Sequence, residues 1–354
     1  MERQRFDAVD ALRGFTVAAM LLVNNPGDWG AIYAPLEHAQ WNGCTPTDLV
    51  FPFFLFIAGV SLALALGPKL EAGADPAALR RDVLLRALRI VVLGLALHAL
   101  WWICLGDHPL RPMGVLQRIG LCVAAAGTLA ASTRARTQWA VFGALLLGYW
   151  LLMVAGGPLT KEGNLASRLD TWLLGRFAYE FDPATGLGHE PEGWLSTLPA
   201  IATTLLGVRA GDWLRGGQLR RIVQAGVVAL AAGALWALVF PLNKQLWSSS
   251  YVLWTGGWAL LALAATQYLV GQRHLPALFR SFGLNAIAAY AGAWVLVIVM
   301  AAFGWGDPVY RHGFAWLAPF ADARLPSLAY ALAFVALWWV VVAWMARRRI
   351  VIKI

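Results

Sequence analysis

Apolar residues in this chain come in long blocks rather than in alternation with polar ones. Ten blocks can be read: residues 11–23, 49–66, 84–105, 114–131, 139–155, 194–208, 222–240, 251–270, 284–303 and 328–345. A helix needs about 20 residues to cross roughly 30 Å of hydrocarbon, and most of the blocks approach that length. The first and sixth are shorter, and Pro199 in the middle of the sixth predicts a kink or a break there. Open sheet edges cannot be satisfied in lipid, so the expected form is helical. No repeat, low-complexity stretch or Pro/Gly/Ser linker divides residues 1–354. The pattern predicts one all-α, polytopic membrane domain with about ten transmembrane helices.

Composition supports this class. The chain is 60% apolar and 13% charged, against about 45–50% and about 25% in soluble proteins. Its mean hydropathy is +0.62. Disorder, a disulfide scaffold, a coiled coil and an ordinary soluble enzyme are excluded. The net charge of +9 would suggest nucleic acid in a soluble protein, but here the cations flank apolar blocks, so no nucleic-acid partner is expected. The N-terminal segment, Arg13, alternate loops and the C-terminal segment hold 20 of the 28 Lys and Arg, including Arg3, Arg5, Lys69, Arg80, Arg81, Arg86, Arg89, Arg273, Arg347, Arg348, Arg349 and Lys353. The other loops hold 8: Arg111, Arg118, Lys161, Arg168, Arg176, Lys244, Arg311 and Arg324. The positive-inside rule then predicts that both termini are cytoplasmic.

Aromatic belts at the two membrane interfaces account for most of the 19 tryptophans. Cys44, Cys104 and Cys122 show neither CxxC nor metal-ligand spacing. A cleavable signal peptide is not expected, because Asp7, Asp10 and Arg13 interrupt the N-terminal segment and Asn24-Asn25-Pro26-Gly27 follows its apolar run.

Five of the six histidines, His38, His98, His108, His189 and His312, fall on the outer side of this topology, and only His274 falls inside. His38 and Asp48 flank one outer loop. They can be a solvated histidine and a helix N-terminal carboxylate, or a general base and the group that orients it. Asp10 and Arg13 lie three apart and share a helix face, either as a packing ion pair or as a functional one. Gln117, Arg118 and Asn285 raise the same question. No GxxxxGK[ST], GxGxxG, HExxH or GxSxG is present. His189-Glu190-Pro191-Glu192 is a weak metal candidate, and no metal is expected. On residues alone, the choice between enzyme and transporter stays open.

The order of motifs resembles the transmembrane acyltransferases typified by heparan-α-glucosaminide N-acetyltransferase. The resemblance opens at Arg5-Phe6-Asp7-Ala8-Val9-Asp10-Ala11-Leu12-Arg13-Gly14 and continues through Met20-Leu21-Leu22-Val23-Asn24. It is most specific over His38-Ala39-Gln40-Trp41-Asn42-Gly43-Cys44-Thr45-Pro46-Thr47-Asp48-Leu49-Val50-Phe51-Pro52. Weaker echoes follow at Gly114–Arg118, Pro191-Glu192-Gly193, Pro241-Leu242-Asn243-Lys244-Gln245-Leu246-Trp247 and Gly283–Ile287.

The resemblance implies transfer of acetyl from cytosolic acetyl-CoA to the amine of glucosamine or a related amino sugar on the far side of the membrane. It implies a catalytic set of His38, Asp48 and Asn24, and coenzyme contacts from Arg13, Arg80, Arg81, Arg86 and Arg118. Topology explains several of these arginines equally well. Trp41, Asn42, Glu192 and Lys244 fall to the sugar, with Trp29 a second candidate face for it. The expected setting is a multi-pass homodimer, in contact with membrane lipid, in a bacterial cytoplasmic membrane. The expected form is compact, without the extracytoplasmic domain that precedes helix one in animal members. His38 can act as base or as an acetyl-accepting nucleophile, and Asn24 can donate to the thioester oxygen. An amino-sugar permease and an acyltransferase acting on a surface glycan remain as alternatives. Pro199 with Thr203 and Thr204 supports the permease, because transporters use broken helices at their sites.

Overall fold

The computed structural model describes residues 7–271 and 277–352; Arg3, Arg5, Arg273, His274 and Lys353 lie outside them. The described residues form helices α1 (Asp7–Val23), α2 (Val50–Glu71), α3 (Pro76–Leu105), α4 (Val115–Ser132), α5 (Ala135–Ala155), α6 (Leu165–Leu174), α7 (Trp194–Arg215), α8 (Leu219–Trp236), α9 (Ser249–Gly271), α10 (Ala277–Leu284), α11 (Ala286–Ala302), α12 (Gly306–Gly313) and α13 (Arg324–Arg347). All but α6, α10 and α12 coincide with the ten apolar blocks. The β structure is one small hairpin of β1 (Glu180–Asp182) and β2 (Leu187–His189), antiparallel with Glu180 opposite His189. It is a minor departure from an all-helical chain.

Among the described residues, seven helices are long and apolar enough to cross a membrane: α2 with its preceding turn, α3, α4, α5, α8, α9 and α13. An eighth is reached if α11 is joined to Gly306–Phe320, which bends away from it by 92°. The ten blocks thus yield seven or eight such helices. α1 has only 17 residues. α7 carries Ser196, Thr197, Thr203, Thr204, Arg209 and Asp212, and it can afford them because α2, α4, α5 and α9 surround it. A helix covered by protein has no need of an all-apolar surface.

The break expected at Pro199 is absent, since α7 runs without interruption from Trp194 to Arg215. Proline removes one hydrogen bond, but close packing holds the helix on both sides of it. Gly59 and Gly207 face each other where α2 crosses α7. A Cβ on Gly59 would lie 2.0 Å from Thr204 O, and one on Gly207 would lie 2.0 Å from Phe56 O. Small residues let helix backbones meet in this way. Thr203 and Thr204 are fully buried and bond back to the carbonyls of Pro199 and Ala200. They do not line a gap.

The helix ends follow local rules. Asp75 caps α3 by accepting from Ala77 N and Ala78 N, with Pro76 in the first helical position and left-handed Gly106 after the last. Loops gather at two ends of the bundle. At one end, Arg215 bonds Glu71 and Arg209 bonds Gln138. At the other, Gly43 N bonds Leu242 O, Trp41 Nε1 bonds Leu159 O and Arg111 bonds Glu190. Apolar side chains such as Leu88, Val92, Leu151, Val228 and Val340 are exposed along the sides, as a lipid-facing surface requires.

Candidate active site

The segment Thr45-Pro46-Thr47-Asp48 forms the tight turn that starts α2. Thr45 stands before the turn, proline opens it and the acid sits three residues on, an arrangement that satisfies free backbone N–H groups. Asp48 is 0% exposed. Its Oδ2 accepts from Thr45 N at 2.9 Å and Ala39 N at 3.1 Å, closing the loop of residues 37–48 on itself. Its Oδ1 lies 2.7 Å from His38 Nδ1. A carboxylate only accepts, so Nδ1 carries a hydrogen, and in the neutral ring the other nitrogen, Nε2, is the one with a lone pair. The His38 side chain is 43% exposed. The two residues are therefore joined as a base and its orienter. The α2 side of the pair is fixed from behind by Tyr251 Oη, which donates to the Asp48 carbonyl oxygen.

Residues 241–248 bring a cation onto this pair. Asn243 Oδ1 accepts from Leu246 N, Asn243 Nδ2 reaches Asn42 Oδ1 and Gln245 Nε2 donates to Gln40 O. Buried Trp247 takes a left-handed φ of 53°, and its Nε1 donates to Thr203. Lys244 is thereby set with Nζ 3.1 Å from both ring nitrogens of His38 and 4.0 Å from Asp48 Oδ1. An in-plane hydrogen bond to one ring nitrogen leaves the other much farther away on the far side of the ring. Equal distances therefore place the ammonium over the ring face, and the Nε2 lone pair stays open. Burial pushes Lys244 below the ordinary lysine range, while Asp48 and Glu192 work against that shift.

A second cluster adjoins the first. Arg111 pairs with both Glu190 and Glu192. Burial raises the Glu190 carboxyl. Burial also works to raise Glu192, but Arg111, Arg118 and Lys244 outweigh it and hold that carboxyl below its usual range. Asp170 accepts from Trp194 N at 2.8 Å, its Oδ2 has no partner, and burial pushes it up to about 7. His189 bonds Ser167 through Nδ1 and is pushed down to about 4 by burial. The run from His189 to Glu192 does not converge as a ligand set: the histidine turns to Ser167 and both glutamates turn to Arg111.

Trp41 and Asn42 lie on the His38 loop, with Trp41 edge-on to His189 at 5.6 Å. Asn24 is exposed at the end of α1 and its side chain makes no hydrogen bond among the described residues. Arg118, expected among the coenzyme contacts, is wholly buried at the His38 end. It donates to Pro191 O, Gly193 O and Ser196 Oγ, so it clamps the start of α7 rather than joining the other arginines. Arg80, Arg81 and Arg86 are exposed on the first turns of α3, at the opposite end. Arg13 bonds Asp10 at 2.9 Å, Ser61 Oγ at 2.8 Å and Gly283 O at 3.1 Å, and it is close enough to Arg86 for the two charges to repel. Two residues of the site had no distinct signal in the sequence: Arg111, read as a stray loop cation, and Tyr251, read as part of an apolar helix.

A family profile described as "Heparan-alpha-glucosaminide N-acetyltransferase, catalytic" matches residues 5–237, about two thirds of the chain. The chain belongs to this family. It is 28% identical to human heparan-alpha-glucosaminide N-acetyltransferase over 352 residues, covering 81% of this chain and 52% of the human protein. For the mouse enzyme the identity is 29% over 356 residues, covering 82% and 54%. The chain thus spans about half the length of the curated relatives it matches. His38, Asp48, Arg118 and Glu192 all fall within the stretch matched by the heparan-alpha-glucosaminide N-acetyltransferase profile, and Lys244 lies just beyond it.

Proposed function

We propose that this chain is a transmembrane acetyltransferase that moves acetyl from acetyl-CoA to the amine of glucosamine or a related amino sugar. The observation that carries this reading is the His38–Asp48 pair, with Nδ1 held and Nε2 open to solvent. Family membership supports the reaction class. In this reading, His38 Nε2 takes a proton from the acceptor ammonium, and the freed amine attacks the thioester carbonyl. The C–N bond forms and the C–S bond breaks; the nitrogen sheds two protons in all, one passing to the leaving thiolate and the other released to water. Asp48 keeps the hydrogen on Nδ1 and stabilises the imidazolium. Asn24, exposed at the same end, is available to donate to the carbonyl oxygen as charge develops there. Trp41, Asn42, Glu192 and Lys244 surround the acceptor.

Coenzyme A carries phosphates, which suit the exposed Arg80, Arg81 and Arg86 and the Arg13–Asp10 site beside them. We further infer ten crossings with both termini in the cytoplasm of a bacterial cell, and a homodimeric assembly. The His38 end then faces outward and the α3 arginines face the coenzyme. The permease reading rested on a broken sixth block, and the continuous α7 removes that support.

The test uses purified protein with acetyl-CoA and glucosamine, following thiol release. His38→Ala should still bind acetyl-CoA and lose about 10²–10⁴ in turnover. Near-wild-type turnover in that variant would overturn the reading. Radiolabelled acetyl retained by the wild type in the absence of glucosamine would replace the base by a nucleophile.

A further inference from the structure

A histidine hydrogen-bonded to a fully buried carboxylate is drawn towards its charged form, because the imidazolium completes an ion pair. In that state it has no lone pair with which to take a proton. His38 is placed in just this way by Asp48, yet the proposed reaction needs it uncharged. The cation laid across its ring face resolves the conflict.

We propose that Lys244 is the charge-tuning residue of the site, holding the His38 imidazole uncharged and therefore able to accept a proton. The proposal rests on the reading of His38 as a base. Its geometry is the ammonium at 3.1 Å from both ring nitrogens, over the face and off the Nε2 lone pair. From that position it opposes a second positive charge on the ring without occupying the atom that must react. The charged groups around the imidazole can be followed element by element. Its own loop contributes Asp48, exposed Glu37 and Cys44, whose thiol burial pushes up to about 12 and so keeps neutral. The 241–248 segment contributes Lys244. Behind Lys244 stands Glu192, itself paired with Arg111 and flanked by Arg118. Glu192 and Asp48 in turn stabilise the ammonium form of Lys244.

The charge state of His38 can be measured without turnover. Diethyl pyrocarbonate modifies only unprotonated imidazoles, and mass spectrometry of the peptide containing His38 reports the extent at each pH. Full-length protein in detergent is used, with Lys244→Met, Lys244→Gln, Lys244→Arg and Asp48→Asn. Removing the cation should raise the modification midpoint by about one pH unit in Lys244→Met and Lys244→Gln. Lys244→Arg should keep the wild-type midpoint, and Asp48→Asn should lower it. In the acetyl-transfer assay the acidic limb of kcat/KM should move in the same directions. An unchanged midpoint in a folded Lys244→Met or Lys244→Gln protein would overturn the proposal. So would shifts of the same sign in the lysine and aspartate variants. Should the wild type prove inert with glucosamine, the enzymatic reading falls, while the modification profile still decides the role of Lys244.

Discussion

Replacing Asp48 by asparagine separates what this residue does for the loop from what it does for the imidazole. Asparagine offers one acceptor oxygen and one amino group that donates. The N–H groups of Thr45 and Ala39, 2.9 and 3.1 Å from Oδ2, fix the asparagine oxygen on their side. The amino group then faces His38 Nδ1, which must accept instead of donate. The ring hydrogen moves to Nε2, the nitrogen that the reaction needs bare. Turnover should fall by about 10²–10⁴, or about 3–5 kcal/mol of barrier at roughly 1.36 kcal/mol per tenfold. The loop keeps its closing bonds, so the loss of stability should stay near 1 kcal/mol. Asp48→Ala is the contrast. It leaves two N–H groups, of half-buried Ala39 and Thr45, without the acceptor that the fully buried Asp48 supplied, at up to about 1–3 kcal/mol each. That sum is a large share of the roughly 5–15 kcal/mol by which proteins are stable, so the alanine variant should accumulate poorly. The assays are gel filtration and thermal unfolding in detergent, followed by thiol release from acetyl-CoA in the presence of glucosamine. An Asp48→Asn protein turning over within a few-fold of wild type would refute the tautomer argument. One as unstable as Asp48→Ala would refute the assignment of the loop bonds.

Arg13→Ala removes the guanidinium from a part-buried pair whose side chains are 25% and 18% exposed, so the cost should fall below the about 3–5 kcal/mol of a fully buried pair; expression should fall and recover partly in the Asp10→Ala, Arg13→Ala double variant. Normal expression with lost acetyl-CoA binding would make the pair a ligand contact instead. Asp170 titrates near 7 when folded, above its unfolded range, so the stability it contributes is present in acid and is lost as pH rises from about 4 to 7. Thermal unfolding of Asp170→Asn against wild type should therefore favour the variant increasingly over that window, and a constant difference would count against the buried neutral acid. A reporter fused after residue 354 should signal cytoplasm and one inserted within residues 156–193 should signal the opposite side; the reverse result would undo the charge argument for orientation.

The helices were legible in the sequence because apolar blocks in a membrane protein must satisfy their backbones internally, and each of the ten blocks is a helix. The shorter elements were not. α6, α10 and α12 are too brief for a block, and the three-residue strands β1 and β2 are too short to leave an alternating pattern. The break read at Pro199 did not appear, because packing against neighbouring helices keeps α7 continuous through it. Of the site, His38 and Asp48 could be read from one loop, since the acid closes that loop and orients the histidine at once. Arg118 could not be placed from the sequence, because a charge alone does not say whether it faces a ligand or backbone carbonyls. The equal spacing of Lys244 from the two ring nitrogens depends on a segment 206 residues away in sequence, and no spacing rule reaches that far.

The glycine contact between α2 and α7 bears on how substrates can arrive. Asp48 sits in the turn at the start of α2, and Glu192 stands just before α7. Both walls of the site are thus mounted on two rods fused at their crossing by Gly59 and Gly207. Parting α2 from α7 would break this backbone contact. In the proposed reaction, an acceptor would then enter by movement of the loops around residues 37–48 and 241–248, with α2 and α7 as the frame between them.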